Sequence, residues 1–196
     1  MAQTDNSYLA DKVMLRALHL PDGDKISVLD CYGGYGVVWD WVKRISERDI
    51  SVLSIDVKDV GYALPGNNMA YLTNIDLGRF DVIDLDAYGA PFEQLDTVLD
   101  RGFQGTIFVT FIQIVVGELP YKMLESIGFP LAAVRKCPTL FFRKGWEKML
   151  QYLSSRGYDT VTHRSHGRKH YFVINGAEAL SGDYDSREED TVAGHS

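Results

Sequence analysis

The sequence predicts an α/β fold: a Rossmann-like, mostly parallel sheet with helices on both faces and an antiparallel hairpin strand at its C-terminal end. Three observations predict it. The apolar run Val28-Leu29-Asp30 passes into Cys31-Tyr32-Gly33-Gly34-Tyr35-Gly36 and then into a helical pattern, which is a strand handing over to a helix through a glycine turn. Strand and helix patterns alternate along the chain up to the fifth strand, as a parallel sheet covered on both faces requires. The last two strand patterns are joined by Ser165-His166-Gly167-Arg168, a link too short for a crossover, so they must pair antiparallel.

Each element has its own signal. Tyr8 to Leu18 reads as an opening helix capped by Asn6 or Ser7, with Leu9, Val13, Leu15 and Leu18 near helical spacing. The turn Pro21-Asp22-Gly23-Asp24 precedes a buried strand from Ile26 to Asp30. Gly36 to Arg48 is a helix with Val37, Val38, Trp41, Val42 and Ile45 on one side. Ser51 to Ile55 is strand two. Ala70-Tyr71-Leu72, after Pro65-Gly66-Asn67-Asn68, is expected to be strand three, and Phe80 to Leu85 strand four. Phe92 to Arg101 is a helix, and the β-branched and aromatic run Gly105 to Phe111 is strand five. A helix is expected over Leu119 to Ile127 and another over Trp146 to Arg156, before the hairpin Tyr158 to Arg164 and His170 to Ile174.

With 196 residues the chain suits one domain, residues 1–176, followed by an acidic, flexible tail over 177–196. The formal charge is -7, but the tail alone carries -5, leaving a body of only -2. Basic residues gather at Arg135-Lys136, Arg143-Lys144 and His163 to His170, patches that suit phosphates as well as they suit a solvated hairpin tip. No apolar run reaches the length of a membrane span, and the N-terminus lacks a signal pattern, so a cytoplasmic location is expected. Cys31 and Cys137 are too few to hold a thiolate iron–sulfur cluster or a disulfide scaffold. The histidines lack a complete metal-ligand set, and no metal is expected.

The glycine turn suits a nucleotide, because it lets the main chain approach a ligand while the next helix offers unpaired N–H groups. The dinucleotide fingerprint wants a third glycine or alanine where this chain has Trp39, whose indole would hold helix and strand apart. No Gly-Lys-Ser or Gly-Lys-Thr follows, so the phosphate loop of nucleotide triphosphatases is also excluded. Asp30-x-Tyr32-Gly33-Gly34-Tyr35-Gly36 resembles motif I of the class I S-adenosylmethionine-dependent methyltransferases, above all the form found in nucleic-acid methylases. That resemblance implies a seven-stranded methyltransferase sheet whose seventh strand lies antiparallel beside the fifth. It also implies S-adenosyl-L-methionine as cofactor, held by Asp30, Tyr32, Gly33, Gly34 and Gly36.

Asp56 ends strand two, twenty residues after Gly36, where a carboxylate can accept both hydrogen bonds of a ribose diol; Val57 follows it. By the same resemblance Asp76 would accept from the adenine amino group and Ile75 would flank the ring, although Asp76 equally suits a helix cap. Asp84-Leu85-Asp86-Ala87-Tyr88-Gly89-Ala90-Pro91 is similar to motif IV of amino-methylating enzymes and, within them, to the tRNA guanine exocyclic-amine dimethyltransferases. Asp86, Tyr88, Gly89 and Pro91 match; Ala87 and Ala90 depart from it, and the likeness covers about residues 26 to 117.

The resemblance implies transfer of a methyl group to an amino nitrogen. Asp86 would bind the amine and accept its proton, Tyr88 would stack on the substrate, Gly89 and Pro91 would shape the loop, and Arg135 and Lys136 would meet phosphates. A nucleic-acid base, such as one in tRNA or another RNA, is the favoured substrate. A small-molecule or protein N-methyltransferase is the alternative, and a non-catalytic methyltransferase-like binding subunit is another.

Overall fold

The computed structural model describes residues 8–113 and 120–176. The acidic tail and the start of the helix expected from Leu119 lie outside the described residues, as do the expected caps Asn6 and Ser7.

The sheet forms from β1 (Lys25–Asp30), β2 (Asp49–Asp56), β3 (Leu64–Pro65), β4 (Val82–Leu85), β5 (Thr106–Ile112), β6 (Thr162–His166) and β7 (Lys169–Asn175). Their spatial order is β3-β2-β1-β4-β5-β7-β6. β1 pairs in parallel with β2 and β4, β2 with β3, and β4 with β5, whereas β7 runs antiparallel to both β5 and β6. The sequence reversal falls between β1 and β4, so their C-terminal ends form the crevice where ligands of open α/β sheets bind.

Alternation along the strands divides the core into two halves. Leu29, Ile55, Ile83, Leu85, Ile107, Val109, Phe172 and Ile174 face one way. There they meet α3 (Asn68–Asn74), α4 (Phe92–Asp100), α5 (Tyr121–Ser126), α6 (Leu131–Lys136) and α7 (Thr139–Ser155). Val28, Val82, Phe108, Tyr171 and Val173 face the other way, toward α1 (Leu9–Leu18) and α2 (Val37–Ser46). The period of two places residues of both parities in apolar surroundings, which is why β4 and β5 read as continuous apolar runs.

Some bounds shift, with α7 starting at Thr139 rather than Trp146 and β6 at Thr162 rather than Tyr158, and two elements differ from the sequence reading in kind or in the face they bury. Ala70-Tyr71-Leu72 is not a strand but the middle of α3. Asn67 caps that helix by accepting from the Met69 amide at 2.9 Å, and a capped run of Met, Ala and Leu favours helix over strand. Strand three is instead the two-residue β3, joined to the end of β2. The second difference concerns α2, whose buried residues are Trp39 and Val42, while Trp41 and Ile45 stand 45% and 46% exposed. Trp39 does not hold helix and strand apart. It fills the space between them, edge-on to Phe108 with ring centroids 6.3 Å apart.

α1 begins one residue later than expected, after Tyr8 in the left-handed conformation (φ 62°) stacked on His166 at 3.8 Å. Asp11 meets His166 Nε2 at 2.8 Å, so α1 is held against the β6–β7 hairpin as well as against α2. Among the described residues no helix is long and apolar enough to cross a membrane.

Candidate functional site

A cavity of about 870 Å³ opens at the C-terminal ends of β1, β2, β4 and β5. Its floor is the turn from Asp30 to Gly36, and its walls include Asp56, Val57, Asp84, Asp86, Tyr88, Pro91, Thr110 and Tyr171.

The turn is crowded at two of its glycines. A Cβ on Gly33 would sit 2.5 Å from the Cβ of Ser54, and one on Gly36 would sit 2.0 Å from the ring of Tyr62. Gly36 also has φ 71° and caps α2, and its amide donates to the Gly33 carbonyl at 2.8 Å. Asp56 closes over the turn: Oδ2 accepts from the Gly34 amide at 3.1 Å and Oδ1 from the Lys58 amide at 2.8 Å. A carboxylate has about four lone-pair sites, so Asp56 retains capacity for two further donors. Tyr32 also lines the cavity, its hydroxyl pushed up to about 12 by burial.

Beneath the cavity lies a cluster of three carboxylates and two cations. Asp30 and Asp84 are register partners on adjacent parallel strands and therefore share the α1/α2 face; Asp86, two residues beyond Asp84, continues that face. Arg16, 1% exposed, grips Asp84 at two points, with Nε to Oδ2 and Nη2 to Oδ1 both at 2.7 Å. Trp39 Nε1 donates to Asp84 Oδ2 at 2.8 Å. Lys12, one helical turn before Arg16, places Nζ 3.0 Å from Asp86 Oδ1, an oxygen that also accepts from Thr110 Oγ1 at 2.6 Å. Asp86 Oδ2 stands 3.6 Å from Arg16 Nη2.

The charges follow from this geometry. Burial works against the Asp86 carboxylate, but Arg16 and Lys12 outweigh it, and Asp86 is held below the usual carboxylate range. Burial also opposes the Arg16 charge, and Asp84 and Asp86 together more than compensate, leaving the guanidinium firmly protonated. Asp30 has no such cation of its own; burial first and the charge of Asp84 second push its carboxyl well above the usual range. Burial raises Asp84 as well, against the opposing pull of Arg16.

Asp30, Tyr32, Gly33, Gly34, Gly36, Asp56 and Val57 all line the cavity, together with Asp86, Tyr88 and Pro91. Tyr88 is 84% exposed at its mouth. Gly89 next to it has φ 141°, and its carbonyl accepts from the Ile112 amide at 2.9 Å, tying the loop to the end of β5. Pro91 stands at the N-cap of α4, its carbonyl taking the Leu95 amide at 2.9 Å.

Four expected site residues lie elsewhere. Because residues 68–74 are helical, Ile75 and Asp76 do not end a strand: Ile75 packs on the core, and Asp76 caps the 3₁₀ turn Leu77–Arg79 by accepting from the Gly78 amide at 3.0 Å. Arg135 and Lys136 close α6 and are not among the described residues that line the cavity; Arg135 lies over the Tyr121 ring at 5.2 Å. The sequence reading missed Lys12, Arg16 and Thr110, and the anchoring role of Asp84, whereas Lys169, expected within a phosphate-facing basic patch, lines the cavity. The signal for the first pair is visible in retrospect, since two cations four residues apart fall on one helix face and two acids two residues apart fall on one strand face.

No protein-family model matches the chain, and no curated protein matches it. Solved structures do. The precorrin-6y C5,15-methyltransferase of Geobacter metallireducens GS-15 superposes with a TM-score of 0.51 at 12% identity, over 89% of this chain and 90% of that one. The ribosomal protein L11 methylase of Lactobacillus delbrueckii subsp. bulgaricus gives 0.50 at 15% identity, over 88% and 80%. A Bordetella parapertussis protein described as a possible exported protein gives 0.52 at 10% identity, over 86% and 67%. With its strand order and its antiparallel seventh strand, the chain has the seven-stranded, Rossmann-like methyltransferase fold.

Proposed function

We propose that the chain is an S-adenosylmethionine-dependent methyltransferase acting on an amino nitrogen, with a nucleic-acid base such as a tRNA guanine as the favoured substrate. The observation that carries this reading is that one cavity joins the glycine turn and Asp56 to Asp86 and Tyr88. Its volume, about 870 Å³, falls in the range of small-molecule sites. The unused acceptor capacity of Asp56 fits a ribose diol.

When bound, the cofactor supplies an electrophilic methyl carbon on a sulfonium. The residues of this chain then act by position: Asp30 to Gly36 seat the nucleoside, Asp56 holds its sugar, and Val57 flanks it. Orientation of this kind contributes several kcal/mol in favourable cases. Asp86 accepts from the amine N–H and so localises the nitrogen lone pair, while Tyr88 offers a ring for stacking. The lowered affinity of Asp86 for protons makes it a binding group rather than a strong base. That suffices, because methyl transfer to a neutral aryl amine would give an aryl ammonium cation, which is acidic and releases its proton to water. Lys58 and Lys169 at the cavity supply positive charge toward a phosphate backbone. The exposed thiol of Cys137 favours a reducing, cytoplasmic setting.

The ion pair already formed between Asp86 and Lys12 favours a second reading, a methyltransferase-like subunit that binds without turnover. Incubation with tritium-labelled S-adenosylmethionine, followed by separation of RNA, DNA, protein and metabolite fractions, tests both. Label in nucleic acid, abolished by Asp86→Ala with cofactor affinity retained, supports the proposal. Calorimetry showing no cofactor binding at millimolar concentration would overturn it.

A further inference from the structure

The cation–carboxylate ladder under the cavity has two unlike rungs. Arg16 and Asp84 form the inner rung, with side chains 1% and 2% exposed, and between them Arg16 and Trp39 satisfy both oxygens of Asp84. Lys12 and Asp86 form the outer rung, each 12% exposed and each lining the cavity. The inner rung has the closed geometry of a structural pair. The outer rung is open at both partners. Thr110 and Lys12 share Asp86 Oδ1, whereas Arg16 approaches Oδ2 at 3.6 Å, beyond hydrogen-bond reach, which leaves that oxygen lone-pair capacity among the described residues. An ammonium has three N–H donors, and the Asp86 contact uses one. The Lys12 charge also lies 5.3 Å from the centre of the Tyr171 ring, which keeps it at the cavity wall. Side by side in one cavity, therefore, stand an acceptor with unused capacity and a cationic donor with unused N–H groups.

We infer that Lys12 and Asp86 act as a donor–acceptor pair that selects an exocyclic amine whose neighbouring ring nitrogen is a hydrogen-bond acceptor, the amidine edge of an amino-bearing nucleobase. This rests on the proposed methyltransferase reading and specifies its substrate class. Asp86 Oδ2 accepts from the amine, and Lys12 donates to the adjacent ring nitrogen. A lysine side chain of a protein substrate offers no such acceptor and brings a second cation toward Lys12, which repels it. Adenine, cytosine and guanine each carry an amine beside a ring nitrogen. Uracil carries none.

The test compares binding and turnover of short adenine-, cytosine- and guanine-containing RNA oligonucleotides with deaza analogues in which the ring nitrogen beside the amine is replaced by C–H. Binding is read by calorimetry without cofactor, and turnover by label transfer. For the base that takes label, the wild-type protein is expected to lose roughly 10- to 100-fold in kcat/KM and in affinity on the deaza analogue, the loss that one unmade hydrogen bond to a charged donor brings. Lys12→Met is expected to lose a similar factor on the natural base and to show no further deaza penalty. Lys12→Arg, which keeps a donor and the charge, is expected to recover part of both. An unchanged S-adenosylmethionine affinity verifies that the variants fold; if Lys12→Met fails this check, Lys12→Gln takes its place. A deaza penalty equally large in the wild type and in Lys12→Met would overturn the inference while leaving the methyltransferase reading intact. So would label entering lysine side chains rather than bases. Absence of cofactor binding would remove both.

Discussion

Arg16 of α1 and Asp84 of β4, 68 residues apart in sequence, are locked at two points, each nitrogen 2.7 Å from a different carboxylate oxygen. A second contact, between Lys12 and Asp86, lies beside the first. Four residues of helix rise about 6 Å, and two residues of strand span about 6.6 Å, so a helix antiparallel to the strand matches both pairs without distortion. This commensurate spacing seats the opening helix over the crevice and orients the carboxylate on which the proposed chemistry depends.

The inner pair is structural, and breaking it leaves Asp84 buried without its cation. Arg16→Met is expected to lower unfolding free energy by about 3 to 5 kcal/mol in urea titrations. Arg16→Lys should also destabilise, because a point charge cannot engage both oxygens as the guanidinium fork does. A loss below about 1 kcal/mol for Arg16→Met would show that the pair does not hold α1 in place.

Trp39 occupies the position a dinucleotide-binding protein gives to a small residue, and here it is 1% exposed and bonded to Asp84. Trp39→Phe keeps most of the volume and removes one of the two donors to the charged Asp84 Oδ2, for an expected loss of about 1 to 3 kcal/mol. Trp39→Ala opens a cavity as well and should lose about 3 to 5 kcal/mol. Equal effects of the two would mean that the hydrogen bond, rather than the packing, dominates.

Gly36 combines a left-handed φ of 71° with a Cβ position 2.0 Å from the Tyr62 ring. Gly36→Ala is expected to destabilise by about 1 to 3 kcal/mol and to weaken cofactor binding. Adding Tyr62→Ala should restore the part due to the clash and leave about 1 kcal/mol of backbone strain. No recovery in the double variant would place the whole effect in the backbone.

His170 lies 5% exposed between Gln113 Oε1 and Ser165 Oγ, both 2.8 Å from its ring nitrogens. Gln113 Nε2 donates to the Phe141 carbonyl at 3.0 Å, so its Oε1 accepts; His170 then carries its proton on Nε2 and accepts from Ser165 at Nδ1. Burial first, then His163, lowers its pKa from 6.5 to about 4. The unfolded chain therefore takes up a proton at higher pH than the folded one does. The stability His170 contributes is complete above pH 6.5 and is lost as pH falls toward about 4, with an upper bound of about 3 kcal/mol. Urea midpoints between pH 7 and 4 should fall more steeply for the wild type than for His170→Phe. Parallel pH profiles would assign the acid sensitivity to other groups.

The Asp56 carboxylate accepts from the main-chain amides of Gly34 in the turn and of Lys58 just beyond β2. Asp56→Ala should cost about 1 kcal/mol of stability. Its larger expected effect is a loss of at least roughly tenfold in S-adenosylmethionine affinity, measured by calorimetry, as removal of a ribose acceptor implies. An unchanged affinity would remove Asp56 from the cofactor site.

The turn Asp30 to Gly36, the acid at the end of β2 and the antiparallel hairpin were legible in the sequence because each is local. Glycine marks a backbone that needs positive φ or close approach, a strand end has a fixed periodicity, and a four-residue link permits one pairing. Strand three was misread because Ala70-Tyr71-Leu72 suits either state in isolation, and the Asn67 cap together with packing against α4 decided for helix. Asp76, which suited a cap as well as an adenine contact, caps the 3₁₀ turn Leu77–Arg79. The partners of Asp84 and Asp86 were beyond local reading, since a charge buried in a sheet names no partner along the chain. Only the fold, by laying α1 antiparallel across β4, brought Lys12 and Arg16 to them, and burial away from water then made those contacts strong enough to set which acids keep their charge.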